Sequence, residues 1–447
     1  MEKLDEKNQS KNNGNTIKNP NAKKFLFVSD ESLSGDIAWK IRNEGHQVKA
    51  FIAKETDKEV FDGFVEKVDN WKEHKDWADV IVFDDIGFGN EAESLRKEGK
   101  LVIGGSKYTD KLEEDREFAQ NEMKKFGMTI LPHYDFTDFE EAIKFIKTNP
   151  GRYVFKPSGN TPSDSKGILF LGQDEDGNDL IEILEQNKKA WAKKIKKFQL
   201  QKMAVGVEVA VGAFFNGEDF IYPINVNFEH KKLFPGDIGP YTGEMGTLMY
   251  WAPSNQIFQN TLLKIKDELA KSGYAGYVDI NCIANAKGIY PLEFTMRFGY
   301  PTINIQLEGI TEEIGEFLYK LAKKEKFELK VKKGFQIGVC VVIPPFPYDD
   351  KKEIAIYHDL SILFRKPNFD GVHLGDVKRD SAGVWSVAGD SGYVLIITGA
   401  GITVDEARKQ AYARLDNIIL QNMYYRTDIG LKWLRDSDRL QTWGYLY

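Results

Sequence analysis

Two carboxylates on neighbouring extended segments form the sharpest chemical signal in the chain: Asp279 in Tyr277-Val-Asp-Ile-Asn281 and Glu293 in Tyr290-Pro-Leu-Glu-Phe-Thr295. Side chains alternate along a strand, so Glu293, Thr295 and Arg297 share a face if the extended run continues that far. A hairpin closed near Ala286-Lys-Gly288 would set Asp279 beside that face. Paired carboxylates suit Mg²⁺, which is held by one or two such groups together with nucleotide phosphates. Arg297 can then meet the oxygens of a phosphoryl group in transfer. The plain alternative is a surface hairpin with scattered charges. Upstream, Lys156 ends a strand and precedes Pro157-Ser-Gly-Asn-Thr-Pro-Ser-Asp-Ser-Lys-Gly167. A small-residue loop between Lys156 and Lys166 can close backbone amides and ammonium groups over polyphosphate. It lacks the Walker pattern, and an ordinary Ser/Pro/Gly turn is the simpler account.

These residues need a scaffold. Lys24-Phe-Leu-Phe-Val-Ser29 reads as a buried parallel strand, followed by a helix over 36–44 and a strand over 46–52. Asp79-Val-Ile-Val-Phe83, a helix over 91–98 and Leu101-Val-Ile-Gly104 repeat the alternation. This predicts a doubly wound α/β domain over 23–105, after a polar tail at 1–22 that reads as disordered. The first turn, Ser29-Asp-Glu-Ser-Leu-Ser-Gly35, lacks a dinucleotide glycine fingerprint. Residues 106–330 mix strands (153–156, 198–202, 207–211, 277–281, 290–295) with helices, with a lid at about 125–197. A last domain over 331–447 carries strands at 336–343 and 392–398 and a helix over 405–420, with acidic residues at its start. The lysine-rich run 188–198 puts Trp191, Ile195 and Phe198 on one face at helical spacing, so it reads as a solvated amphipathic helix rather than an anion patch.

Composition narrows the classes. The 447 residues imply two to four domains, with 42% hydrophobic and 29% charged residues. A formal net charge of -7 argues against a broad grip on nucleic acid. No run of about 18 apolar residues is available to span a membrane. The two cysteines, Cys282 and Cys340, lie in apolar stretches without metal-ligand spacing. Together with the absence of a secretory signal, this leads us to expect a cytoplasmic protein.

The order of Lys156, Lys166, 201–208, Asp279 and Glu293 resembles the ATP-grasp fold. Longer runs resemble the phosphoribosylamine–glycine ligase (glycinamide ribonucleotide synthetase) family of purine biosynthesis. They are Glu229-His-Lys231, Gly236-Asp-Ile-Gly-Pro-Tyr-Thr-Gly-Glu-Met-Gly246, Glu293-Phe-Thr-Met-Arg-Phe-Gly-Tyr-Pro301, Val372-His-Leu-Gly375 and Tyr425-Arg-Thr-Asp-Ile-Gly430. The resemblance implies an α/β ATP-grasp protein that uses ATP and Mg²⁺ (or Mn²⁺) to join glycine to phosphoribosylamine or another amine through an acyl phosphate, as a monomer or homodimer. It implies Arg116, Lys156 and Lys166 on the phosphates, Gln201, Met203 and Ala204 in the adenine hinge, and Glu208 on the ribose. It also implies Asp279, Glu293 and Thr295 around the metal, and Arg297, Lys231 and Asp237 at the reacting groups.

The chain departs from that family at several places. Thr295 stands for an asparagine ligand, Tyr300 and Thr302 for acidic residues, Tyr241 and Glu244 for an asparagine and a glycine, and Gln201 and Lys202 for hinge glutamates. Ser32-Leu-Ser-Gly-Asp36 replaces the glycine-rich turn that would cradle the phosphosugar. The alternatives are a related ligase with a different substrate pair, or an ATP-binding regulatory protein without activity.

Overall fold

The structure is a computed structural model describing residues 19–158, 168–348 and 350–447. Most of the expected polar tail and residues 159–167 of the loop carrying Lys166 lie outside these residues. Among the described residues no helix is long and apolar enough to cross a membrane.

Burial on both faces explains the N-terminal sheet. Phe25 to Val28 in β1 (Lys24–Ser29) and every residue of β4 (Val80–Phe83) are at most 1% exposed, as parallel strands between helices must be. With β2 (Gln47–Ile52), β3 (Glu66–Lys67) and β5 (Leu101–Ile103) they form a parallel sheet in the order β3-β2-β1-β4-β5. Helix α1 (Gly35–Asn43) turns Ile37, Ala38 and Ile41 inward, and α2 (Gly89–Lys97) does the same with Ala92 and Leu95. The chain leaves β1 toward β2 on one side and returns as β4 on the other, so the carboxyl ends of β1 and β4 bound a topological switch point. The doubly wound expectation is met. Helices α3 (Lys107–Glu114) and α4 (Arg116–Lys125) lead out of this sheet.

A second, four-stranded sheet has its own core. Its order is β6-β9-β7-β8, from β6 (His133–Phe136), β7 (Tyr153–Ser158), β8 (Phe170–Leu171) and β9 (Lys197–Lys202). Tyr153, Phe155, Phe198 and Leu200 alternate onto one face, where α5 (Phe139–Thr148) and α6 (Asn178–Trp191) cover them. The opposite face carries Lys156, Gln199 and Gln201. The lysine-rich run therefore departs from a single helix: α6 stops at Trp191 and Phe198 lies in β9. Trp191, Ile195 and Phe198 still share one core, because the turn between helix and strand keeps all three against Phe155 or its neighbours.

The largest sheet has eight strands in the order β16-β15-β10-β11-β14-β17-β22-β19, all neighbours antiparallel. Its members are β10 (Val207–Phe215), β11 (Phe220–Glu229), β14 (Gly246–Ala252), β15 (Gly276–Asn285), β16 (Gly288–Thr295), β17 (Phe335–Val342), β19 (Val372–Leu374) and β22 (Tyr393–Gly401). A two-stranded ribbon, β12 (Lys232–Phe234) with β13 (Ile238–Tyr241), projects between β11 and β14. A small sheet, β20-β21-β18-β23, is built from β18 (Ser361–Phe364), β20 (Val377–Arg379), β21 (Trp385–Val387) and β23 (Ile418–Ile419). The expected helix over 405–420 ends at Leu415, because Ile418 and Ile419 are drawn into pairing with β18. Its start is a capping box between Thr403 and Glu406.

Candidate active site

One face of the large sheet is polar at successive alternate positions. Asn225, Asn227 and Glu229 alternate along β11, Asp279 and Asn281 along β15, and Glu293 and Thr295 along β16. The register sets Asp279 opposite Thr295 and Asn281 opposite Glu293, so directly paired side chains share that face. Asp279 Oδ2 accepts from the Tyr277 hydroxyl at 2.9 Å and from Asn227 Nδ2 at 3.0 Å. Asn225 Nδ2 donates to the Tyr277 oxygen at 2.8 Å and to Asn227 Oδ1 at 2.9 Å. Gly212, facing Asp279 across β10, makes this packing possible: a Cβ there would lie 2.0 Å from the Tyr277 hydroxyl.

Lys231 gathers the acids. Its Nζ lies 3.3 Å from Glu208, 3.4 Å from Glu229 and 3.6 Å from Glu293. Burial works against the ammonium, but Glu229, Glu293 and Glu208 more than offset this and hold its pKa well above the ordinary lysine value. Lys231 in turn, followed by Arg116 and Lys156, pulls Glu293 down to about 2 although burial opposes it. Glu244 and Asp279 are buried and Glu229 is half-buried; burial raises all three, with repulsion from Glu229 adding on Glu244 and Asp279 and from Glu208 and Glu293 on Glu229. One lysine among these acids leaves unneutralised negative charge, a setting made for a further cation.

The second wall is the polar face of the sheet β6-β9-β7-β8. Lys156 Nζ donates to Gln201 Oε1 at 2.7 Å. Burial, then Arg116, lowers Lys156 to about 7. A cleft of about 350 Å³ runs between α4 and this sheet, with Arg116 on one side and Ser158 and Gln199 on the other. Met203 and Ala204 follow β9 half-buried, and the Met203 amide donates to the Arg152 carbonyl at 3.0 Å.

Two expected site residues are held elsewhere. Arg297 lies beyond the end of β16, because the Met296 amide leaves the ladder to donate to Glu113 at 2.6 Å. Its Nε is 2.9 Å from Asp85 and 3.1 Å from Glu113, so the shared face expected for Glu293, Thr295 and Arg297 stops at Thr295. Asp237, at φ 56°, engages Arg426 at 3.0 Å and Lys432 at 2.9 Å in the C-terminal part. Lys166 falls outside the described residues. Glu229, Asn227, Tyr277 and Asn281 had no role in the sequence reading, although the polar–apolar alternation of Asn225-Val-Asn-Phe-Glu229 already marks such a face.

The donor set fits Mg²⁺. It offers carboxylates and an amide oxygen, and the buried Asn281 Oδ1 has no hydrogen-bond partner among the described residues. Asp279, Glu293 and Asn281 would hold the ion.

The family model of the phosphoribosylglycinamide synthetase ATP-grasp (A) domain matches residues 114–303, and that of the phosphoribosylglycinamide synthetase C domain matches 336–432. A phosphoribosylamine–glycine ligase of Streptococcus pneumoniae is 25% identical over 434 residues, 92% of this chain and 100% of that protein. The crystal structure of a phosphoribosylamine–glycine ligase from Thermotoga maritima superposes with a TM-score of 0.68 at 21% identity, covering 91% of this chain and 100% of that one. A biotin carboxylase from Campylobacter jejuni follows at 0.60 and 13% identity, covering 95% and 97%. With an ATP-grasp model and a C-domain model matched in sequence over most of its length, the chain belongs to the phosphoribosylglycinamide synthetase family.

Proposed function

We propose that this ATP-dependent carboxylate–amine ligase activates glycine as its carboxylate, at the polar face of the large sheet beside Lys156 and Arg116. The carrying observation is the Lys231 ammonium set among Glu208, Glu229 and Glu293 beside buried Asp279. It supports a cation-binding centre facing the wall of Lys156, Gln201 and Arg116. The names of the curated relatives support glycine.

The carboxylate oxygen attacks the γ-phosphorus of ATP; an O–P bond forms, the bond to the β-bridging oxygen breaks, and ADP leaves. The amine, after losing a proton, attacks the acyl carbon. A C–N bond forms, the C–O bond to phosphate breaks, and inorganic phosphate leaves. Bound Mg²⁺ supplies charge neutralisation on the phosphates. Lys156 and Arg116 orient the triphosphate, and Glu208 holds the ribose end beside Lys231.

The test is acyl-phosphate trapping. The full chain with MgATP, glycine and hydroxylamine is expected to yield glycine hydroxamate and ADP, and Glu293→Ala to lower both by about 10²-fold or more with an unchanged circular dichroism spectrum. Full turnover in Glu293→Ala would refute its role. ATP binding without hydroxamate from any carboxylate would identify a nucleotide-binding regulator instead.

A further inference from the structure

The polar face of the large sheet does not end at Asp279. It continues inward as a chain of amides, which leads to the helix Thr302–Gly309 lying across the same face. The helix sits close to the sheet. A Cβ on its Gly309 would stand 2.6 Å from Nε1 of Trp251, the residue paired with Asn225 across β11 and β14. From this helix Gln306, fully buried, donates its Nε2 to Asn225 Oδ1 at 3.2 Å.

The direction of every donor in the chain is fixed from the acid end. A carboxylate that binds a metal is ionised, and its oxygens only accept. Asp279 Oδ2 takes the Asn227 amide at 3.0 Å and the Tyr277 hydroxyl at 2.9 Å. Asn227 therefore turns its Oδ1 away from the acid, and the Tyr277 oxygen has only lone pairs left. Both are now acceptors. Asn225 meets them with the two hydrogens of one Nδ2, at 2.9 and 2.8 Å. Its own Oδ1, buried with the rest of the side chain, then requires a donor from the interior, and Gln306 supplies it. An apolar residue at position 306 would strand that oxygen, and the Asn225 amide would be free to turn over.

Both donors engage Oδ2, so Oδ1 is the oxygen of Asp279 left to face a cation. Groups that hold a ligand by hydrogen bonds set where its free oxygen points. We propose that Gln306 is a positioning residue for the metal centre: through Asn225 it fixes the donors on Asp279 Oδ2, so that Oδ1 is presented to the divalent ion. This rests on the metal-binding reading given above and specifies what aligns its buried acid. Asn304 provides a matched control. It is a buried amide on the same helix, but its Nδ2 donates to Asp36 at 3.1 Å.

Mn²⁺ titration of the full-length protein, alone and with ADP, tests this without turnover, the bound ion being read by electron paramagnetic resonance. Gln306→Met keeps the length of the side chain and removes its donor. Its Mn²⁺ affinity is expected to fall by about tenfold or more. Asn304→Ala is expected to lower the melting temperature as well, yet to leave Mn²⁺ affinity unchanged. ADP release by Gln306→Met should need more Mg²⁺ for its half-maximal rate and recover as Mg²⁺ saturates, a split that loss of folded protein does not produce. Asn225→Ala takes the place of Gln306→Met if that variant does not fold, with the same loss expected. Wild-type Mn²⁺ affinity in the Gln306 variant, or an equal loss in Asn304→Ala, overturns the inference and leaves the metal centre standing. If the wild type binds no Mn²⁺ in either state, the metal centre falls and the inference is overturned with it.

Discussion

Lys231 Nζ stands 3.6 Å from Glu293 Oε1, and the same ammonium reaches Glu208 and Glu229, so one side chain balances acids from three strands. The lysine is an internal cation in a centre that also suits a divalent ion. Removing it should expose a competition between the two.

Lys231→Met is therefore expected to destabilise the metal-free protein. Truncating one partner of a charge cluster leaves the others unpaired, at a cost of about 2–4 kcal/mol for a partly buried set. Mg²⁺ should recover more stability in the variant than in the wild type, because it no longer competes with an ammonium. Thermal melts with and without Mg²⁺ measure this; equal shifts in the two proteins would show that Lys231 and the ion do not share a centre.

Lys156 gives a pH dependence with a definite sign. Burial and Arg116 hold it at about 7, so the ammonium form proposed to bind phosphate dominates below that pH and is lost above it. Binding a triphosphate restores the charge by taking up a proton. Affinity for MgATP should weaken by up to about tenfold per pH unit above 7. Lys156→Arg keeps its charge and should flatten the profile. Calorimetric titrations from pH 6 to 9 measure the difference, and parallel profiles would assign the pH effect to another group.

Much of this was legible before the fold. Asp279 and Glu293 are read correctly as a strand pair because period-2 alternation survives in Tyr277-Val-Asp-Ile-Asn281 and Leu292-Glu-Phe-Thr295, and the buried run Phe25 to Val28 announces a parallel strand. Arg297 was not legible in the same way. Its departure from the strand depends on the Met296 amide meeting Glu113, a residue 183 positions away, and no local pattern encodes that partner. The end of α6 at Trp191 is a similar case: helical spacing of Trp191, Ile195 and Phe198 marks a shared core, which a helix–turn–strand satisfies equally well.

Asp36 ties three parts of the chain together and should show an acid-side signature. Its Oδ2 lies 2.7 Å from His373 Nδ1 and accepts from Asn304 at 3.1 Å, while Oδ1 accepts from the Leu374 amide at 3.0 Å. Burial alone would raise its pKa, but His373 and these donors together hold it below the ordinary value of 3.8. The unfolded chain thus binds this proton first as pH falls. The stabilisation is complete above the ordinary value and is lost as pH drops through the lower, folded one. Asp36→Ala should cost about 2–4 kcal/mol at neutral pH, with the gap to wild type narrowing only in strong acid. Denaturant midpoints from pH 7 down to 3 measure it, and a gap that closes already near pH 6 would contradict this assignment.

Gly212→Ala separates packing from chemistry at Asp279, the carboxylate proposed to hold the metal. The added methyl would stand 2.0 Å from the Tyr277 hydroxyl and 2.9 Å from Asp279 Oδ2, inside contact distance of both. Tyr277 is 1% exposed and stands beside β10, so the ring cannot swing into solvent and its hydroxyl must leave Asp279. Asp279 then keeps only Asn227 of its two donors, and its carboxylate rotates within a site where an ångström matters. Overpacking should cost about 1–3 kcal/mol in stability. ADP release at saturating ATP should fall by a larger factor, on the order of 10²-fold, since orientation is lost as well as stability. Tyr277→Phe in the Gly212→Ala background removes the hydroxyl but keeps the ring carbon 2.5 Å from the added methyl, so it should return part of the stability but little of the activity. If activity returned in step with stability, the hydroxyl would be a packing group only, and the orienting role of Tyr277 toward Asp279 would be wrong.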